Sequence, residues 1–116
     1  MKFRVEEVDG RPIAVFDGED PQRNSLLSCF LVSSNYFVVD ILHDISLVER
    51  DIYPSHGFEN PEVFIEIFKD YVTIEPYIAE DETIIPRVKI PLEKAKLLLL
   101  EWGLVLQRRR MSLGRA

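Results

Sequence analysis

The sequence predicts an α+β domain: a mostly antiparallel sheet of about five to six strands, with one short helix and one long C-terminal helix packed on one face. Three observations lead there. Asp9-Gly10 lies between two strand-like runs and is a hairpin signature. Further β-branched and aromatic runs follow, separated by turn formers. Residues 92–107 then repeat their apolar side chains at helical spacing.

Residues 2–8 and 11–16 are read as the opening hairpin, with Pro12 placing the second strand at an edge because it has no N–H to donate. Residues 17–24, DGEDPQRN, carry turn formers and charge without apolar period, and are expected to form a surface loop. Continuous apolar runs at 26–32 and 36–42, around Ser33-Ser34-Asn35, suggest a second, well-covered hairpin. Residues 44–53 fit neither period cleanly and are read as a further strand or a short helix, and Pro54-Ser55-His56-Gly57 breaks the chain.

Asn60 and Pro61 have the chemistry of an N-cap and a first helical residue, so residues 61–70 are read as a helix that buries Val63, Phe64, Ile67, Phe68 and Tyr71. A hairpin that sets Ile65 and Ile67 opposite Val72 and Ile74 is the competing reading; its Lys69-Asp70 turn is weak. Residues 71–78 and 84–90 alternate as two strands, and Pro91 is expected to open the long helix. In that helix Leu92, Ala95, Leu98, Leu99, Trp102, Val105 and Leu106 form a core stripe, whereas Leu97, Leu100 and Leu104 form a second stripe on the far side. The second stripe needs a cover: the 61–70 helix, a second copy in a homodimer, or another protein. Gly103 marks a bend or a close backbone approach. Residues 1–107 are taken as one domain and 108–116 as a basic, flexible tail.

With 116 residues and 47% hydrophobic content, the chain can bury one core. No apolar run approaches the ~20 residues of a membrane span, and the charged start MKFRVEEVDG lacks a signal-peptide core, so a cytoplasmic location is expected. Cys29 is the only cysteine and is read as a small core residue, which leaves no disulfide and no cysteine-based zinc site.

A catalytic search stops only at His43-Asp44, with His56 the one other histidine. A small enzyme using His43, Asp44 and His56 is therefore an alternative. No Gly-x-Ser-x-Gly elbow, P-loop or dinucleotide motif accompanies them, and neither cofactor nor metal is expected. The net charge of −6 is unevenly spread: residues 59–82 hold eight acids against Lys69 alone, while residues 83–116 hold eight bases against two acids. Such a field favours a basic partner and disfavours the phosphate backbone of nucleic acid. The run Arg108 to Arg110 suits the negative end of a helix dipole.

The combination of small size, acidic charge and a layout ending in KIPLEKAKLLLLEW resembles the immunity proteins of bacterial polymorphic-toxin and contact-dependent inhibition systems. The resemblance implies a non-enzymatic chain that neutralises a toxin domain, often a cationic nuclease, by occluding its active site. From the residues themselves, the expected partner surface is the acidic segment Glu59, Glu62, Glu66, Asp70, Glu75, Tyr77, Glu80, Asp81 and Glu82, with Tyr53 and Phe58 among the aromatic anchors.

Overall fold

Asp9 and Gly10 take φ of 52° and 77°, the pair of positive values that a type I′ turn demands. They join β1 (Arg4–Val8) to β2 (Arg11–Val15) in the expected hairpin. The structure, a computed structural model, describes residues 2–35, 37–59, 63–76 and 87–113, the side chains of 111–113 excepted. It is an α+β fold, but the six strands among the described residues do not form one sheet. The hairpin stands alone as a two-stranded ribbon, and the other four strands form a second antiparallel sheet. Both strands of a ribbon are edges, which is where Pro12 is tolerated.

The second hairpin expected over 26–32 and 36–42 is replaced by two helices, α1 (Pro21–Ser33) and α2 (Val38–Glu49). Asp20 starts the first of them within the stretch expected to be loop. Its carboxylate accepts from the backbone N–H groups of Gln22 at 3.0 Å and Arg23 at 3.3 Å, and Pro21 occupies the first turn. α1 lies between the hairpin and the four-stranded sheet, with Leu26, Leu27, Phe30 and Leu31 buried and Cys29 and Val32 packed against the core. A helix covered on two sides needs no polar face, so its sequence shows no one-sided stripe. α2 ends at Glu49, and Asp51 follows with φ of 60°.

The four strands are β3 (His56–Glu59), β4 (Val63–Ile67), β5 (Tyr71–Pro76) and β6 (Val88–Pro91), paired in chain order. The helix expected over 61–70 is therefore corrected: residues 63–67 are strand β4 and lead through a turn into β5, while residues 61 and 62 lie outside the described residues. Ile65 pairs with Ile74 and Ile67 with Val72, as the competing hairpin reading required. Alternate burial decides the outcome: Val63, Ile65 and Ile67 all enter the core, whereas a helix would have spread them around its circumference. Pro91 closes β6 instead of opening the helix, and α3 runs from Leu92 to Leu113. It passes the 107 boundary, and Arg109 pairs with Glu7 and donates to the Gly10 carbonyl of the hairpin.

One core joins these layers. Val63, Ile65, Ile67, Val72, Ile74, Val88 and Ile90 form the inner face of the sheet, against α1 and the Leu92, Ala95, Leu98, Leu99 and Trp102 stripe of α3. Among the described residues, no single helix is long and apolar enough to cross a membrane.

Candidate binding surface

Strand register assigns the outer face of the four-stranded sheet. Glu59, Phe64 and Glu75 make one cross-strand row, and Gly57, Glu66, Thr73 and Lys89 the next. Three members of the expected acidic set, Glu59, Glu66 and Glu75, thus share a face, carried by three strands instead of a helix. Arg87 bonds Glu75 through Nη2 at 2.9 Å and Nε at 3.0 Å, and so offsets its charge. Lys89 lies 4.1 Å from the centre of the Tyr71 ring, which stacks on Phe68 at 4.7 Å. Asp70 is at the β4–β5 turn, away from these rows, beside Lys69, which reaches Asp51 at 2.9 Å. Glu62, Tyr77, Glu80, Asp81 and Glu82 lie outside the described residues.

A second acidic feature arises where α2 passes β3. Ser33, Phe37, Asp40, Ile41, Asp44, Phe58 and Glu59 line a pocket of about 260 Å³. Ile41 is buried and Phe58 packs on the core, so the lining is largely apolar, while Asp40, Asp44 and Glu59 bring three carboxylates to it. Asp40 and Asp44 are four residues apart on α2 and therefore share a face. Asp40 carries no signal while 36–42 is read as a strand, in which a spacing of four has no such meaning. Of the expected anchors, Phe58 lies at this pocket and Tyr53 is exposed in the loop before β3.

His56, on the β3 edge, places Nε2 3.2 Å from Asp44 Oδ2. Two of the three residues of the enzyme alternative therefore meet, while His43 is exposed on α2. The only hydroxyl lining the pocket among the described residues, that of Ser33, donates to the Phe30 carbonyl at 3.1 Å. No group of three or more His, Cys, Asp or Glu side chains arranged to hold a metal is found among the described residues. An apolar slot edged by carboxylates suits a cationic side chain whose stem is greasy and whose head is charged, such as arginine or lysine.

Among the described residues, nothing covers the second stripe of α3. Leu97, Leu100 and Leu104 remain 57%, 49% and 52% exposed, and the helix proposed to shield them does not form. At Gly103 the close neighbour is a side chain and not the expected backbone: a Cβ there would stand 3.3 Å from Val38 Cγ1 on α2. At the other end of the same contact, Lys96 Nζ bonds Glu49 at 3.1 Å, so α2 and α3 run antiparallel.

Fold and surface together define an α+β domain with an acidic, aromatic-lined pocket and a bare leucine stripe. Comparison with protein-family models, curated proteins and solved structures finds no significant match.

Proposed function

We propose that this chain is an acidic protein-binding domain that docks a basic protein partner, with a cationic side chain of that partner seated between α2 and β3. The observation that carries the reading is the pocket in which Asp40, Asp44 and Glu59 accompany Phe37, Ile41 and Phe58. Aromatic and aliphatic surface supplies buried area, and carboxylates supply steering and charge-assisted hydrogen bonds. Glu66 on the adjoining outer face extends the acidic surface. The finer form of the proposal is an immunity protein that neutralises a cognate basic toxin, a nuclease among the candidates; it follows the resemblance in size, charge and layout.

The test first reads the neighbouring open reading frames for a toxin-like domain, then co-expresses that domain with this chain and titrates it against the chain by calorimetry. The wild-type chain restores growth and binds. The triple variant Asp40→Lys, Asp44→Lys, Glu59→Lys loses at least about 100-fold in affinity, as expected when a hot-spot cluster is reversed. Circular dichroism checks that the variant keeps its fold. Undiminished binding by a folded triple variant would overturn the pocket as the docking site.

A further inference from the structure

We propose that the bare stripe of α3 is covered by a second copy of this chain, in a twofold dimer whose α3 helices pack antiparallel. Leu97, Leu100 and Leu104 point directly away from the core stripe, 57%, 49% and 52% exposed. Leu100 lies in the middle, with Leu97 three residues before it and Leu104 four residues after. A twofold axis across the helix near Leu100 therefore sets Leu97 against Leu104 of the other copy, and Leu104 against its Leu97.

Charge selects both the occupant and the direction. Glu93 lies one turn before Leu97 on the same side of the helix, and Arg108 one turn after Leu104. Antiparallel packing brings Glu93 of each copy to Arg108 of the other, closing two ion pairs around the leucines. A parallel pair would instead set Glu93 against Glu93 and Arg108 against Arg108. One stripe thus carries complementary charges at its two ends, the self-complementarity that an isologous interface requires. Glu101 flanks the axis, so the dimer brings two carboxylates near each other there and is reversible as a result.

Sedimentation velocity of the full chain across micromolar concentrations reads the outcome. The wild type sediments at about twice the 13.5 kDa chain mass. Leu100→Glu weakens the dimer about 100-fold or more, since a carboxylate replaces the central leucine. Glu93→Arg and Arg108→Glu each weaken it about tenfold, and combining the two restores it. Glu101→Gln tightens it. A monomeric wild type, which would leave the stripe to a different partner, overturns the proposal. So does a dimer that survives Leu100→Glu, and so does a charge exchange that fails to restore association in the combined variant. Because none of these residues lines the acidic pocket, either proposal can fail without the other.

Discussion

Trp102 donates its indole Nε1–H to Oδ1 of Asn35 at 2.8 Å, although the Trp102 residue is 0% exposed. This bond ties the middle of α3 to the corner between α1 and α2. Phe3 completes the setting by meeting the Trp102 ring edge-on, with centroids 5.8 Å apart. A buried indole without an acceptor loses its water and gains nothing in return. Asn35→Ala is therefore expected to lower stability by about 1–3 kcal/mol. Urea denaturation followed by circular dichroism measures it. In a Trp102→Phe background, which has no N–H to strand, the same substitution should cost much less; an equal cost in both backgrounds would sink the pairing argument.

Asp20 is the residue on which α1 depends for its start. Its carboxylate serves two backbone donors of the first turn, and alanine serves neither. Asp20→Ala should cost about 0.5–2 kcal/mol in thermal or urea denaturation, whereas Asp20→Asn should retain most of the cap. Equal losses in the two variants would assign the effect to charge instead of capping.

What the sequence disclosed, and what it hid, follows from how each segment is covered. The first hairpin was legible because Asp9-Gly10 acts locally, through φ alone. The core stripe of α3 was legible because that helix buries one side. α1 was not, since burial against both the hairpin and the main sheet removes the polar face that a helical period needs. The grammar of a cap followed by proline occurs at Asp20-Pro21 and again at Asn60-Pro61. The first leads into a helix; beyond the second, the described residues from Val63 are strand β4, where alternate burial of Val63, Ile65 and Ile67 against the helices outweighs the local signal. The pocket stayed hidden for the same reason: Asp40, Asp44 and Glu59 become neighbours only once α2 is a helix lying on β3.

The link between β1 and the segment leading to α1 should leave a trace in acid. Arg4 Nε bonds Asp17 Oδ2 at 2.9 Å, and this hydrogen bond, with the guanidinium charge, holds the Asp17 carboxyl below its ordinary range. A carboxyl whose pKa is lower in the folded chain binds fewer protons there than in the unfolded chain. Its contribution is present above the unfolded value, near pH ~4, and is lost as pH falls through the folded value. Both groups are exposed, so the effect is small. Melting temperatures of the wild type and Asp17→Asn should differ slightly at pH 6 and converge as the pH is lowered toward 2. A difference that grows in acid would contradict the assignment.

Gly103 sets how closely α2 can approach α3. Replacing it by alanine adds helix propensity worth ~1 kcal/mol, but places a Cβ 3.3 Å from Val38 Cγ1, a contact that the two side chains can relax. Gly103→Ala should therefore remain within about 1 kcal/mol of the wild type. Leucine cannot be accommodated by a shift of tenths of an ångström. It must push α2 away and strain the Lys96–Glu49 pair at the far end of the contact, so Gly103→Leu should cost about 1–3 kcal/mol. Val38→Ala, which opens space at that point, should recover part of the loss in Gly103→Leu while destabilising the wild type. If Val38→Ala lowers stability equally in both backgrounds, Gly103 is not where the two helices meet, and its presence within α3 needs another cause.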